Sequence, residues 1–407
     1  MHEKTKIACH IAVTALVVLL LVARPVTIAG QQADQSMEFP SFGLQRWSFT
    51  PSLAIGTVYD NNVALSSPRA DVGETQGDSL LTLIPSGYLE YRGKRTEFSA
   101  GYRGFVRRYF EIEGLDEFSQ RGGVSFRHLF SRRLTFYVTD SYADMPTTDD
   151  VEVNGVPFRR VGSRTNTFAA TTDYRLSKFT TLSTRYDTTW VEFDQPEVFL
   201  TGGWIHALRN ELSHTFTERL SLGAEYSYRT ASLNEGTRDF GFQDLGGVVS
   251  FGLGRHTSGN AAAGYAVLHD RTNNRTASGP FVRLSVTHAF ERATIGGGYQ
   301  RQYVPTFGFG GATSSQELGG HLMMPFARSR LYAQASGTWR RAMPFEEDAL
   351  ELDTLQLRST LGYSMTRWAR LEGVYVYTRQ DSTITGGEVD RHRIGIQFVV
   401  SQPMRIR

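Results

Sequence analysis

Twelve arginines stand out, because each sits next to an apolar, aromatic or small residue in a strictly alternating run: Arg103, Arg107, Arg121, Arg127, Arg185, Arg209, Arg229, Arg283, Arg340, Arg358, Arg370 and Arg393. In extended chain, side chains alternate between two faces. These guanidiniums therefore belong to one face, and rows such as Tyr102, Leu208, Tyr228 and Leu357 to the other. Acids of the same parity are fewer: Glu97, Asp187, Glu211, Glu225, Glu317 and Glu372. A row of like charge enclosed by a low-dielectric wall sets an ion preference, here for anions. The same row paired with carboxylates only hydrates its surroundings. The sequence leaves both readings open.

Other candidate chemistry is weaker. The ten histidines are scattered, and His206 and His214 share a strand face without a Ser or Asp in a local pattern. Asp149-Asp150 and Glu346-Glu347-Asp348 are acid clusters, but they lack the ligand spacing of a calcium loop. Gly308-Phe309-Gly310-Gly311 lacks the last glycine of a dinucleotide motif and precedes no helix, so it reads as a turn. No catalytic, metal or cofactor site is expected.

The elements that carry the arginines are strands. In Asp353 to Gln380, Leu355, Leu357, Leu361 and Tyr363 alternate with Gln356, Arg358, Thr360 and Ser364. After a bend at Thr366-Arg367, Leu371, Tyr375 and Tyr377 alternate with Arg370, Glu372 and Thr378. This hairpin repeats from Trp47 to the last strand. Eight very short turns are expected, at Gly93-Lys94, Ser131-Arg132, Ser177-Lys178, Thr217-Glu218, Arg255-His256, Glu291-Arg292, Ala327-Arg328 and Thr366-Arg367. They alternate with nine longer loops, so the count is eighteen strands with both termini on the short-turn rim.

Composition narrows the class. The 407 residues carry a net charge of +2, which argues against a nucleic-acid partner, and a mean hydropathy of −0.30 argues against a bundle of membrane helices. Residues 1–29 have a basic start, an apolar run from Ile7 to Ala23 and small residues at Thr27-Ile28-Ala29, the layout of a secretory signal peptide. The single Cys9 precedes the apolar run, so the mature chain has no thiol. Residues 30–46 read as a short periplasmic lead-in, 47–401 as the strand domain and 402–407 as a C-terminal tail.

Alternation alone also suits a soluble propeller or sandwich. The polar faces decide otherwise: they carry Arg and Glu too often for a packed core. Most strand runs exceed the five or six residues usual in soluble proteins, and about 9–11 tilted residues cross a bilayer. Tyr91, Trp190, Trp204, Trp339 and Trp368 near strand ends fit aromatic girdles. The expected fold is all-β, a transmembrane antiparallel up-and-down barrel in the bacterial outer membrane, with membrane lipid as its surroundings. The loop 143–162 is the expected constriction.

Three features together resemble the beta-barrel porin 2 group of outer-membrane proteins: Val58-Tyr59-Asp60-Asn61-Asn62-Val63 ending the first strand, the Phe-Ser-Arg and Leu-Ser-Lys turns, and the last strand. The likeness spans about residues 48–400. Arg393-Ile394-Gly395-Ile396-Gln397-Phe398-Val399-Val400 resembles the signal read by the barrel-assembly machinery, though without a terminal aromatic residue. The resemblance implies a pore without enzymatic chemistry, working beside polysaccharide export components. Two rival readings stand beside the channel. A non-conducting docking barrel of an envelope export complex would have its lumen filled by paired side chains. A barrel enzyme acting on lipid or glycan would need a Ser/His or carboxylate cluster at one wall position.

Overall fold

The computed structural model describes residues 47–406 except 64, 66–75, 113, 147–160, 195–199, 235, 309–310, 327–329, 346–350 and 384–387. The expected leader, Cys9, the lead-in, both acid clusters and nearly all of the loop 143–162 lie outside the described residues.

The strands are β1 Trp47–Asp60, β2 Asp78–Arg92, β3 Thr96–Tyr109, β4 Glu117–Leu129, β5 Leu134–Pro146, β6 Gly162–Arg175, β7 Thr180–Phe193, β8 Gly203–Thr217 and β9 Leu220–Leu233. They continue as β10 Arg238–Gly252, β11 Thr257–Asp270, β12 Arg275–Ala289, β13 Thr294–Thr306, β14 Gly311–Phe326, β15 Leu331–Pro344, β16 Leu352–Ser364, β17 Ala369–Ser382, β18 Val389–Ser401 and β19 Met404–Ile406. Each of β1 to β17 pairs antiparallel with the next, and β1 pairs with β18 from Ser52↔Ser401 to Asp60↔Arg393, which closes the sheet. The fold is an eighteen-stranded up-and-down barrel, plus the short β19.

Several of the short turns are built by hydroxyls. Ser131 Oγ accepts from the Arg133 and Leu134 amides at 3.1 Å each, Ser177 Oγ from Phe179 and Thr180 at 3.1 and 3.0 Å, and Thr366 Oγ1 from Trp368 and Ala369 at 3.2 and 3.0 Å. A side-chain oxygen that satisfies two turn amides favours the reversal over continued strand. The opposite connections are not uniformly long. β9–β10 reverses through Asn234 (φ 50°) and Gly236 (φ 85°), the left-handed positions a tight hairpin needs.

The expected tail is partly strand. β1 runs further down than β18, and β19 covers the remainder, from Phe49↔Met404 to Trp47↔Ile406. Pro403 interrupts the pairing between them, and the Gln402 amide donates to the Pro51 carbonyl at 3.2 Å. An uncovered edge on β1 would leave backbone groups without partners.

The outer face is apolar and uncovered. Leu245 is 63% exposed, and Ile394 and Ile396 are 59% exposed. Rows of this kind repeat on every part of the wall, and water-soluble proteins rarely leave such a surface uncovered. Strand pairing around the circle satisfies most backbone groups internally, so the barrel can carry that surface into hydrocarbon.

Candidate functional site

Strand register places all twelve arginines on the face opposite the exposed rows. Arg103 stands opposite Arg121, Arg107 opposite Glu117 and Arg127 opposite Glu97 on β3–β4. Arg185 stands opposite Arg209 on β7–β8, and Arg229 opposite Phe242 on β9–β10. Arg283 pairs with Gln300, Arg340 with Glu317, Arg358 with Ser336, Arg370 with Ser364 and Arg393 with Val376.

At least seven of the twelve are ion-paired. Arg107–Glu117 is 3.3 Å, Arg127–Glu97 3.4 Å, Arg229–Asp244 2.9 Å, Arg340–Glu317 2.7 Å and Arg185 Nε–Asp187 2.7 Å. Arg283–Glu225 and Arg370–Glu372 complete the set. The inner face is more acidic than alternation indicated. Glu117 and Asp244 join it as ion-pair partners, Glu90 and Asp173 by register, and Asp60, Asp78 and Asp270 stand on the same face at the long-loop rim. For Arg107, Arg127, Arg229, Arg283 and Arg340 the carboxylate lies on another strand, so spacing along the chain does not reveal it. Many of the inner-face arginines thus stand beside acids.

Like-charge contacts remain within that wall. Arg103 faces Arg121, Arg185 faces Arg209, and Glu211 faces Glu225. Arg209 sits in the field of Arg283 and Arg229 on one side and Glu225 and Asp187 on the other. Three guanidiniums lie against inner-face rings: Arg229 over Phe242 at 5.1 Å, Arg283 over Phe281 at 5.5 Å and Arg107 over Phe105 at 5.5 Å. Such stacking holds the planar group against the wall while its charge stays available.

The long-loop mouth is narrowed by an apolar cluster inside the barrel. Inner-face residues Val191, Phe193, Leu233, Phe240, Phe242 and Leu268 pack with loop residues Val161, Leu200 and Phe307. Leu233, Phe242 and Leu268 have no exposed surface. Phe307 arrives because the β13–β14 hairpin leans inward. Its Tyr303 packs on Ala262, Ala266 and Phe281 of the inner wall. The inner wall is low enough there to receive it: a Cβ added at Gly279 would stand 3.1 Å from the Tyr303 hydroxyl. The hairpin tip is tied across the mouth by backbone bonds in both directions between Thr201 and Gly308, with Gly308 at φ 84°. The turn expected at Gly308 is thus the tip of the constriction. The loop 143–162 is represented there only by Val161.

The motif at the end of β1 is a clasp on the last strand. Asp60 accepts from Arg391 Nε at 3.1 and 2.9 Å and from Nη2 at 2.5 Å, with both side chains almost fully buried. The Asn61 amide donates to the His392 carbonyl at 3.1 Å, the His392 amide donates to Asn61 Oδ1 at 2.6 Å, and Asn62 Nδ2 donates to the Asp390 carbonyl at 3.1 Å. Arg391 was not among the expected arginines. Its signal was its parity with Arg393.

Six histidines bond Thr or Tyr across the outer face: His128 to Thr96 at 2.8 Å, His214 to Thr180 at 2.9 Å, His288 to Thr257 at 3.5 Å, His206 to Tyr186 at 2.9 Å, His269 to Thr276 at 3.2 Å and His392 to Tyr375 at 2.9 Å. Three of them form a repeated unit at the short-turn rim. His128, His214 and His288 each meet the Phe two residues on, edge to face, at 4.6, 4.7 and 3.8 Å. His-x-Phe before a turn is therefore a girdle motif, legible as a triple repeat but missed. Among the described residues no group of His, Cys, Asp and Glu is placed to hold a metal.

No family model matches the chain, and no curated protein does. The resemblance to the beta-barrel porin 2 group thus has no family model behind it. Similar solved structures include OccAB4 of Acinetobacter baumannii (12% identity, 88% of this chain and 99% of that one, TM-score 0.49). Others are OpdL of Pseudomonas aeruginosa (13%, 87% and 99%, TM-score 0.44) and OpdK of the same organism with vanillate (12%, 87% and 99%, TM-score 0.46). The chain's own closed wall and uncovered apolar belt make it a β-barrel of the bacterial outer membrane.

Proposed function

We propose that the barrel is a passive channel for small hydrophilic solutes, with a preference for anions. The observation that carries this reading is the row of inner-face arginines, in which Arg185 faces Arg209 across the wall. Barrels of 16–18 strands enclose an aqueous space, and like charges facing each other within one set the sign of the ion admitted. The inward hairpin and its apolar cluster limit the width at the outer mouth. The test is conductance in a planar bilayer with a salt gradient. An open channel whose reversal potential favours chloride supports the reading; a correctly folded barrel that conducts nothing overturns it.

The export reading is a finer version of the same proposal. An acidic glycan would meet the same arginines as a polyanion, and it would block the chloride current from one side. A docking barrel is the second reading, favoured by the ion-paired wall and the closed cluster at the mouth. It predicts silence in the bilayer even after Phe307 is truncated.

A further inference from the structure

The wall is not continuous to its upper rim. β12 stays paired with β11 as far as Asp270↔Arg275, and β13 stays paired with β14 as far as Thr306↔Gly311. β12 and β13 pair with each other only from Ala289↔Thr294 to Val282↔Arg301. Above that point β13 turns into the barrel, where its Cα atoms come within 8 Å of β10 and β11. Among the described residues, the β12 edge from Arg275 to Phe281 has no strand beside it on that side. At about 3.3 Å per residue that edge is roughly 20 Å long.

An unpaired strand edge in hydrocarbon costs several kcal/mol for each backbone group, and irregular backbone at membrane depth is tolerated where it lines a water-filled cavity. The residues of this edge suit such a cavity. On the membrane side Thr276, Ser278 and Pro280 are all exposed, and Pro280 has no N–H to leave unpaired. On the lumen side the slot is backed by Phe281 and Tyr303. At its foot, opposite Val282 on the outer face, stands Arg301. Among the described residues no carboxylate pairs with Arg301. The outward arginines of the following strands are satisfied: Arg341 by Glu351 at 2.7 Å and Arg379 by Asp381 at 3.1 Å.

From this arrangement we infer that the gap between β12 and β13 is a lateral port between the lumen and the outer leaflet, used by an anionic amphiphile. The anionic group is received by Arg301, and the apolar part slides over Tyr303. A solute with no apolar part has no reason to leave the aqueous lumen by this route. The inference rests on the channel reading for its lumen, but it has its own readout.

The experiment uses the full chain in liposomes and planar bilayers, with Cys9→Ser to leave no other thiol. Ser278→Cys is labelled with a bulky maleimide, and Arg301→Gln is made separately. Transfer of a fluorescent long-chain carboxylate into the bilayer is followed beside potassium chloride conductance. The label and Arg301→Gln should each slow carboxylate transfer by roughly tenfold while conductance stays within about twofold, as expected for a side route separate from the axial pore. The port is overturned if the label leaves transfer unchanged, or if transfer and conductance fall together. A second test needs no transport. In a continued register Pro280 would face Tyr303, so a Pro280→Cys/Tyr303→Cys pair in a closed wall would lie within disulfide reach, about 4.4–6.8 Å between Cα atoms. Ready oxidation of that pair in the folded barrel would show the wall closed. Carboxylate transfer without any conductance would remove the channel reading and leave the port standing.

Discussion

Replacing Asp60 by alanine should destabilise the barrel more than any other single charge removal at the strand ends. The Arg391 guanidinium is 4% exposed and the Asp60 side chain 1% exposed. Truncating the acid leaves a buried cation without its acceptor, which costs roughly 3–5 kcal/mol. The Asn62 amide also loses its bond to Asp60 Oδ1, at 3.1 Å, worth about 1 kcal/mol. An internal control comes from Glu97, whose pair with Arg127 is 56% and 55% exposed. Glu97→Ala should cost under about 1 kcal/mol, as exposed pairs do. Urea unfolding in lipid vesicles, read by tryptophan fluorescence, measures both. Asp60→Ala/Arg391→Met removes the orphaned charge and should recover most of the loss, and the double-mutant cycle isolates the coupling. If Asp60→Ala costs no more than Glu97→Ala, water reaches Arg391, and the clasp between first and last strands does not close as described.

Three further outcomes follow from the wall. Leu245→Arg places a charge at mid-strand on the lipid side and should destabilise the barrel by about 2–4 kcal/mol in vesicle unfolding. Arg209→Glu should move the reversal potential toward cations in a salt gradient, because it replaces one member of the Arg185–Arg209 facing pair with an acid; an unmoved potential would place the selective charges elsewhere. Phe307→Ala takes a 3% exposed ring out of the cluster at the mouth and should raise single-channel conductance by roughly twofold, since an apolar constriction gates by excluding water.

The barrel itself was legible because its cause is local. Alternation along each strand separates lipid face from lumen face, and Ser or Thr at several short turns supplies oxygens that reverse the chain. The Val58 to Val63 segment was also visible as a motif, though not its task. Asp60 and Arg391 are 331 residues apart, and only closure of the circle brings them together. The ion pairs between strands were hidden for the same reason. Arg283 and Glu225 lie 58 residues apart on strands that are not neighbours. Their meeting depends on register across the sheet, which alternation does not encode.

The inward lean of β13 was decided still further from the sequence. Residues 294–306 alternate like any other strand of the wall, and nothing in them announces a departure from it. The departure follows from the small inner-face residues of the neighbouring strands, Ala262 and Ala266 of β11 and Gly279 of β12, which become one shallow surface when the sheet forms. Side-chain parity is a property of one strand, and the chain determined it alone. A depression is a property of several strands at once, so only the assembled wall could decide where the hairpin would rest.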